Sequence, residues 1–467
     1  MNTSNRRQFI RQLALAGTAS SLAFPAILRA QNALPKLRVA LIGTGGIGGA
    51  HIDGIKGLGV DCTACCDVDT GRFKKGLETW PNAKQYQDYR EMLEKEAKNI
   101  DAVMIGTPDH HHYPATILAM QQGKHVYTQK PLTHTIWEAR QLTLAAEKYK
   151  VATQMGNQGT ANEGVRLCYE WIHSGLMGDI KEVHVWTNRP VWPQGMNRPE
   201  GEDPVPATLN WDVWLGPAPL RPHKKDVYHP FKWRGWLDFG GGALADMACH
   251  TLNAVFFALD PGYPTSVELI EVDGLTTEAF PKGAIVKWEF PKTKKRPAFT
   301  LFWYEGNKKA SAPRPPELEA SVKIPDSGAL FIGTKEKMVV WGDYNDHPHI
   351  IPSTHEKELG GRGYLLEDGK DNIKIGGYDE KYGPKKLLER SIGHYKEWVL
   401  AATGEKPIGS PLSKFAYAGP FTETISLGNV ALRLGKKLEW DGKKLQFKGD
   451  REANALVSKE YRKGWKF

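Results

Sequence analysis

Apolar residues follow two different patterns along this chain. Between residues 36 and 155 they form short continuous runs, separated by longer stretches in which apolar and polar residues mix. The runs are Leu37–Ile42, Val60–Cys66, Asp101–Ile105, Lys124–Thr128 and Val151–Met155. Continuous apolar runs are typical of strands buried on both faces of a parallel sheet, with helices in the crossovers between them. Residues 36–155 are therefore predicted to form an α/β domain with a parallel sheet.

From residue 156 onward, strand-like runs follow one another with few helical stretches between them. These runs are Ile180–Asn188, Ser266–Val272, Ala284–Phe290, Ala298–Tyr304, Gly328–Gly333 and Lys337–Trp341. Over residues 156–440 the spacing predicts an α+β domain with an open, mostly antiparallel sheet. Residues 441–467 are predicted to be an extended tail on the surface.

Residues 1–30 have the pattern of an export signal rather than of a folded element. Arg6 and Arg7 precede a weakly apolar stretch from Leu13 to Leu28, and no acidic residue occurs before residue 31. This pattern is similar to a twin-arginine signal, which predicts export of the folded protein to the periplasm. The alternative is an N-terminal arm, because paired arginines are also common in such arms.

Composition excludes two classes of partner. The formal net charge of +9 is spread along 467 residues without a basic cluster, which argues against nucleic acid. After residue 30 no run approaches 18 apolar residues, so no membrane span is predicted. We also predict no metal site, because His110, His111 and His112 are adjacent and cannot all face one ion.

The first apolar run leads directly into a glycine-rich turn, Gly43-Thr44-Gly45-Gly46-Ile47-Gly48. Its G-x-G-x-x-G spacing lies between a strand and a helix, as in the Rossmann domain that we therefore predict over residues 36–155. Gly43 permits the turn, Gly45 lets a pyrophosphate approach the backbone, and Gly48 allows close helix–strand packing. Gly46 and Ile47 open the helix, whose free N–H groups attract that anion.

Asp67 ends the second strand, 24 residues after Gly43. An acid at this distance binds the adenosine ribose and repels the 2′-phosphate of NADP, so the predicted cofactor is NAD. Arg72 is the nearby residue that could reverse this preference. At the end of the Asp101–Ile105 run, Thr107, Pro108 and His112 are predicted to lie beside the cofactor, since ligands bind at carboxyl strand ends.

Two further segments carry groups suited to proton transfer. Lys130 follows the Lys124–Thr128 run at another carboxyl strand end, and Pro131 restricts its backbone. Asp246 and His250 follow a glycine run and are four residues apart, which puts them on one face of a helix. We predict that Lys130 and His250 share proton transfer and that Asp246 orients His250 or the substrate. The residues alone leave open which of Lys130 and His250 is the base.

These motifs together resemble the glucose–fructose oxidoreductase/inositol dehydrogenase family, Gfo/Idh/MocA. The resemblance runs from about residue 36 to residue 440 and rests on the glycine turn, Asp67, Thr107-Pro108, Lys130-Pro131 and Gly240-Gly241-Gly242-x-Leu-x-Asp-x-x-x-His. It implies sugar or cyclitol oxidation by hydride transfer to NAD(P). The chain departs from the family pattern at Gln129 and Asn253, where the family has acids.

Residues that could hold a sugar lie between the predicted catalytic segments. Asn157 and Gln158 form a polar turn at the domain boundary, and residues 189–232 are rich in Pro and Trp. Aromatic faces suit the C–H surfaces of sugar rings, and long ordered loops are usually functional. The predicted substrate-binding residues are Asn157, Gln158, Trp192, Tyr228, His229, Trp233 and Arg234.

The resulting hypothesis is an exported NAD-dependent oxidoreductase that oxidises a secondary hydroxyl of a sugar or glycoside, at C3. Outside the cytoplasm it would need to hold and recycle its cofactor. One alternative is a redox glycoside hydrolase that uses transient C3 oxidation and elimination, and another is a non-catalytic sugar-binding module. We expect a homo-oligomer, because an open sheet face usually pairs with a second copy.

Overall fold

A computed structural model describes residues 36–359, 361, 363 and 385–466. The predicted export signal at residues 1–30 lies outside the described residues, as does most of the charged, glycine-rich segment from 357 to 386.

The first part of the chain contains a six-stranded parallel sheet with the strand order β3-β2-β1-β4-β5-β6. Its strands are β1 (Leu37–Ile42), β2 (Val60–Cys66), β3 (Lys84–Tyr86), β4 (Ala102–Ile105), β5 (His125–Thr128) and β6 (Thr153–Met155). The central strands β1 and β4 are almost wholly buried, as their continuous apolar runs predict. The predicted Rossmann-type sheet is confirmed.

Five α-helices accompany this sheet within the described residues. They are α1 (Ile47–Ile55), α2 (Lys74–Thr79), α3 (Tyr89–Lys95), α4 (His112–Gln121) and α5 (Ile136–Tyr149). Helix α5 begins with a capping box, in which Thr135 accepts a hydrogen bond from Glu138 N and the Glu138 side chain accepts one from Thr135 N.

The second part contains a nine-stranded sheet with the order β13-β12-β11-β7-β10-β9-β8-β14-β15. Its strands are β7 (Ile180–Thr187), β8 (Ser266–Asp273), β9 (Gly283–Phe290), β10 (Phe299–Gly306), β11 (Gly328–Gly333), β12 (Lys337–Trp341), β13 (His347–Ile351), β14 (Lys437–Asp441) and β15 (Gln446–Phe447). The β7–β10 pair is parallel and the other described pairs are antiparallel, so the predicted open, mostly antiparallel sheet is confirmed.

Eight more α-helices belong to this part of the described chain. They are α6 (Glu163–His173), α7 (Trp211–Leu215), α8 (Gly242–Thr251), α9 (Asn253–Leu259), α10 (Ser353–Glu358), α11 (His394–Ala402), α12 (Phe415–Leu434) and α13 (Arg451–Ala455). Helix α12 packs closely on the Rossmann helix α5: a Cβ added at Gly419 would lie 1.8 Å from Thr143 Oγ1. Asn429 of α12 also donates a hydrogen bond to Gly241 O, 2.9 Å away, beside the start of α8.

Two helices are irregular. The helix that carries Asp246 and His250 ends at Thr251 and a second helix follows at once, so that α8 and α9 meet at Leu252 with a bend of 51°. Helix α12 starts at Phe415 and runs through Pro420, although a proline usually marks a helix boundary. Within the described residues no single helix has the length and apolar character of a membrane span, and the bent pair α8–α9 alone passes that test.

The prediction of an extended surface tail is wrong. Residues 441–466 contain part of β14, all of β15 and helix α13, and Ala453, Val457 and Trp465 are buried. The mixed, lysine-rich composition of this segment hid its few apolar anchors. Its final residues cross the Rossmann domain, where Trp137 N donates a hydrogen bond to Val457 O.

Candidate active site

A cavity of about 660 Å³ runs from the glycine turn along the carboxyl ends of the Rossmann strands to helix α8. Fifteen of the predicted site residues line it. They are Gly43, Gly45, Gly46, Ile47, Asp67, Thr107, Pro108, Lys130, Gln158, Trp192, His229, Trp233, Arg234, Asp246 and His250. The predicted cofactor-binding and proton-transfer groups therefore share one space.

The glycine turn has the geometry that its sequence predicts. Gly43 has φ +82°, and a Cβ there would lie 2.7 Å from Gly106 O. Gly48 packs so closely that a Cβ would lie 2.0 Å from Gly43 O, so its role is packing within the turn and not lining of the cavity. A Cβ at Gly46 would meet no atom within 4 Å, which leaves the backbone at the helix start open to the cavity.

Asp67 holds the same turn from the end of β2. Its Oδ2 accepts hydrogen bonds from Thr44 N at 2.9 Å and from Gly45 N at 3.3 Å, while Oδ1 accepts one from Asp69 N at 3.0 Å. A carboxylate has more acceptor positions than these bonds use, so it can also bind ribose hydroxyls.

A dinucleotide fits this end of the cavity. The open backbone at Gly46 suits a pyrophosphate at a helix N-terminus. Thr107 Oγ1 lines the cavity and, among the described residues, is buried without a hydrogen-bond partner. Arg72, which the sequence marked only for its charge, lies against the turn, because a Cβ at Gly45 would be 2.2 Å from Arg72 Nη1.

His112 is a correction to the predicted cofactor site. Its side chain is buried between two strand-end loops, with Nδ1 2.6 Å from Pro131 O and Nε2 2.9 Å from Thr107 O. It is absent from the described lining of the cavity, and it fixes the loops that carry Thr107 and Lys130. The neighbouring His110 and His111 both contact Trp214 O, and the described residues contain no group of three or more potential metal ligands.

Lys130, Asp246 and Arg234 form a compact ion cluster beside the cofactor end. Lys130 Nζ donates to the Asp246 main-chain O at 2.7 Å and to Oδ1 at 3.0 Å, and Arg234 Nε donates to the same Oδ1 at 2.9 Å. Burial opposes ionisation, but the Lys130 and Arg234 charges hold the pKa of Asp246 well below its usual range. Asp246 therefore pairs with these two cations and not with His250, which corrects the expected Asp–His pair.

His250 is buried one helical turn further along α8, with its ring centroid 4.7 Å from that of Tyr344. Burial and then the Lys130 charge hold the pKa of His250 well below its usual range, so the imidazole is neutral. Within the described part of the chain its Nδ1 is buried without a hydrogen-bond partner. A neutral imidazole with a free ring nitrogen can accept a proton.

Two predicted substrate residues have structural contacts instead. Asn157 is fully buried, where its Nδ2 donates to Asn253 Oδ1 and its Oδ1 accepts from Ser413 Oγ. Tyr228 is also buried, within an aromatic cluster that includes Trp236 and Phe239. Both residue types bind sugars elsewhere, and neither residue reaches this cavity. Asn253, where the chain differs from the family pattern, thus belongs to a buried hydrogen-bond network and not to the described cavity lining.

The other predicted substrate residues line the cavity. Trp192, Trp233 and Arg234 lie together, with the Arg234 guanidinium carbon 4.3 Å from the Trp233 ring centroid and 5.8 Å from that of Trp192. Gln158 also lines the cavity, whereas His229 Nε2 is 3.6 Å from Asp69 Oδ2, at the adenosine end. Gln129, the other departure from the family pattern, lines the cavity and donates to Gly156 O at 3.1 Å.

Sequence reasoning missed four other residues that line the cavity. Arg189 pairs with Asp343 at 3.2 Å, and Phe231 and Tyr344 extend the aromatic surface. Asp343 and Tyr344 lie in the loop after β12, held in place by Asn345, which donates to Thr251 O and accepts from Ala254 N. The Gly-Asp-Tyr-Asn-Asp turn after a strand was the available signal.

The fold and this cavity are those of a two-domain dinucleotide-binding protein of the Rossmann type. Residues 37–157 match the model of the oxidoreductase family with an NAD-binding Rossmann fold, Gfo/Idh/MocA. Residues 172–291 and 417–467 match the model of that family's C-terminal alpha/beta domain. The chain belongs to the Gfo/Idh/MocA oxidoreductase family, and its first domain is an NAD-binding domain.

Curated relatives are similar over part of their length. A glycosyl hydrolase family 109 protein of Shewanella pealeana is 27% identical over 204 residues, which cover 38% of this chain and 44% of the relative. Inositol 2-dehydrogenase of Salmonella paratyphi B is 28% identical over 152 residues, which cover 32% of this chain and 45% of the relative. The matches thus span less than half of either relative.

Solved structures share the fold more completely. The WlbA dehydrogenase of Chromobacterium violaceum, in complex with NADH and UDP-GlcNAcA, superposes with a TM-score of 0.59 at 18% identity. The superposition covers 87% of this chain and 97% of that one. At this identity the likeness concerns the fold alone.

Proposed function

We propose that this protein is an exported, NAD-dependent oxidoreductase that oxidises a secondary hydroxyl of a sugar or glycoside, at C3. The observation that carries this proposal is the single cavity that joins the glycine turn to Lys130, Asp246 and His250. A bound NAD supplies the hydride acceptor. The test is oxidation of a panel of sugars, cyclitols and methyl glycosides, followed by the absorbance of reduced nicotinamide.

The ion cluster assigns a role to each proton-handling group. Asp246, ionised and bound to Lys130 and Arg234, fixes the direction of the Lys130 side chain. Lys130 Nζ has three donors and spends two on Asp246, so one remains for the substrate hydroxyl. His250, neutral and lining the cavity, takes the proton of that hydroxyl. We therefore assign the base to His250 and the orienting donor to Lys130.

The remaining walls suit a polyhydroxylated ring. Trp192, Phe231 and Trp233 offer aromatic surface, and the Arg189–Asp343 pair offers both donors and acceptors. Apolar faces beside a few charged hydrogen-bonding groups are the usual makeup of a small-molecule site.

Tight retention of the cofactor is part of the proposal. Residues 208–210 of the Pro- and Trp-rich segment dock on residues 68–70, where Thr70 N donates to Thr208 O and Asn210 N donates to Val68 O. This contact braces the strand end beside the adenosine end, and it supports slow release. Occupancy outside the cytoplasm requires roughly nanomolar affinity, about 12 kcal/mol. The dialysed protein should oxidise a sugar and reduce a second carbonyl compound without added NAD. Activity that returns only with millimolar NAD after gel filtration would contradict retention.

The second candidate is a redox glycoside hydrolase, favoured by the relation to a glycosyl hydrolase family 109 protein. Transient oxidation at C3 would acidify the adjacent C–H, and elimination and rehydration would then cleave the glycosidic bond without net redox change. Nitrophenyl glycosides separate the two activities, because released phenol with unaltered cofactor indicates the hydrolase. A non-catalytic sugar-binding module has no need for Lys130, Asp246 and His250 together.

Export and assembly complete the proposal. The twin-arginine pattern at residues 1–30 supports a periplasmic location, which fractionation of cells that express the full chain would test. A homo-oligomer is supported by the open sheet, where Ile270 of β8 is 47% exposed. Native mass spectrometry reads subunit number and bound nucleotide together.

A further inference from the structure

The last described residues of the chain contact His134, and His134 in turn contacts Gly240, just before helix α8. We call residues 456–466 the C-terminal strap. The strap lies on the Rossmann domain, where Trp465 is buried and stacks under Arg90, whose guanidinium carbon is 3.8 Å from the ring centroid. Arg462 Nε donates to Gly216 O at 2.9 Å, so the strap also holds the segment after α7.

Lys459 of the strap contacts the loop that follows Lys130. Its Nζ lies 2.8 Å from His134 Nδ1 and 3.4 Å from Glu138 Oε1. Glu138 is buried and accepts a hydrogen bond from Tyr461 Oη at 2.5 Å. The carboxylate therefore keeps the ammonium group of Lys459 beside the imidazole.

These contacts fix the tautomer of His134. An ammonium group only donates, so Nδ1 of His134 must be the acceptor. The other ring nitrogen, Nε2, lies 3.0 Å from Gly240 O, and a carbonyl oxygen only accepts. His134 thus carries its proton on Nε2. It accepts a hydrogen bond from Lys459 of the strap and donates one to Gly240 O. Burial, and then the Lys459 charge, hold the pKa of His134 well below its usual range, which keeps the ring neutral.

Gly240 is a sensitive position for the site. A Cβ there would lie 2.7 Å from Arg234 O, so its backbone touches that of Arg234, whose side chain binds Asp246. The next residue, Gly241, donates its N–H to Asp109 Oδ2 at 3.1 Å and directly precedes α8. The direction of the Gly240 carbonyl therefore bears on both Arg234 and the helix that carries Asp246 and His250.

We propose that Lys459 and His134 are positioning residues for catalysis: the strap selects the Nε2–H tautomer of His134, which holds Gly240 and thereby aligns Asp246 and His250 with the cofactor end. Neither residue is among the described residues that line the cavity. The inference rests on the proposed oxidoreductase function for its kinetic readout only.

The test is a double-mutant cycle with Lys459→Met, His134→Gln and the two together. The matched control is Lys463→Met, which makes the same change at an exposed position of the strap. A glutamine amide donates to Gly240 O whatever faces its oxygen, so it removes the dependence on Lys459. We expect K459M to lower kcat about 10- to 100-fold with little change in KM, since small misalignments cost this much. In the H134Q background the same substitution should change kcat less than about twofold.

Equal losses from K459M in both backgrounds, or a K459M enzyme as active as K463M, would overturn the proposal. Thermal unfolding identifies a variant that fails to fold. Nitrogen NMR of ¹⁵N-histidine-labelled protein is independent of activity, and the His134 signals are assigned by their loss in H134Q. An unprotonated Nδ1 and a protonated Nε2 in the wild type, with a mixture in K459M, support the proposal. A protonated Nδ1 in the wild type refutes it. If the wild type oxidises no sugar, the proposed function fails while the NMR result still decides this inference.

Discussion

The adenosine end of the cavity is built mostly from backbone, whereas the substrate end is built from side chains. Gly43, Gly45 and Gly46 come from one short turn whose backbone makes most of this surface, and the Asp67 carboxylate is the side chain that completes it. The substrate end instead collects side chains from six separate segments. These include Lys130, Gln158, Arg189, Arg234 and Asp343. The residues that determine cofactor affinity are therefore close together in the sequence, whereas substrate choice depends on how the second domain folds.

The junction of the two ends should show the largest effect. Lys130 lies where they meet and donates to the reacting hydroxyl, so Lys130→Met should lower kcat about 10³-fold, because the loss of one positioned donor at the reacting group costs about 10²- to 10³-fold. Bound NAD, measured by mass spectrometry of the native protein, should remain near the wild-type level. Lys98→Met, at an exposed Rossmann position, is the control and should keep full activity. Loss of NAD together with activity would place Lys130 in the cofactor end alone.

A substitution at the adenosine end should instead weaken NAD binding. A Cβ at Gly45 would meet the flexible end of Arg72, which can move, but it would also fill the space for the pyrophosphate. Gly45→Val should weaken NAD binding by at least about 100-fold, or roughly 2.7 kcal/mol, measured by calorimetry on protein stripped of cofactor. Gly57→Val, where a Cβ meets nothing within 4 Å, should bind NAD normally. Equal affinities of the two variants would show that the pyrophosphate lies elsewhere.

The adenosine end could be predicted from sequence better than the substrate end. The glycine turn was predictable because each glycine acts through its own backbone and its immediate neighbours. Asp343 and Tyr344 were not, since only the pairing of β12 with β13 and the Asn345 contacts bring their loop to His250. Asn157 and Tyr228 had suitable chemistry, but burial decided against them. The pattern along a chain reports periodicity and does not report which polar side chain finds a buried partner.

Cofactor preference tests the charge at the adenosine end. Asp67→Asn keeps an oxygen for Thr44 N but removes the charge that repels a 2′-phosphate. The ratio of the NADP and NAD dissociation constants should therefore fall about tenfold, or 1.4 kcal/mol. Asp61→Asn changes an exposed acid on the same strand and should leave that ratio unaltered. An unchanged ratio in D67N would move the discrimination to another residue, with Arg72 the first to examine.

The smallest expected effect is on stability and concerns Asp109, a buried acid that accepts a hydrogen bond from Gly241 N. Burial raises the pKa of Asp109 from its ordinary 3.8 to about 7. The folded state then binds more protons than the unfolded state between these values, so stability falls as pH rises from about 4 to 7. Asp109→Asn can still accept from Gly241 N but cannot ionise. Its melting temperature should gain at least about 2 °C on the wild type between pH 5 and pH 8. If the melting temperatures of the two proteins change with pH by the same amount, the raised pKa of Asp109 is contradicted.

The central claim is that the two ends meet so that a carbon-bound hydrogen passes from the sugar to the cofactor. The most direct measurement exposes native protein, with its bound nucleotide, to a methyl glucoside deuterated at all ring carbons, and then weighs the released nucleotide. The account predicts reduced nucleotide one mass unit heavier than that obtained with unlabelled glycoside, in the wild type and not in Lys130→Met. Reduced nucleotide without deuterium, or bound nucleotide that stays oxidised with every sugar and cyclitol offered, would contradict it.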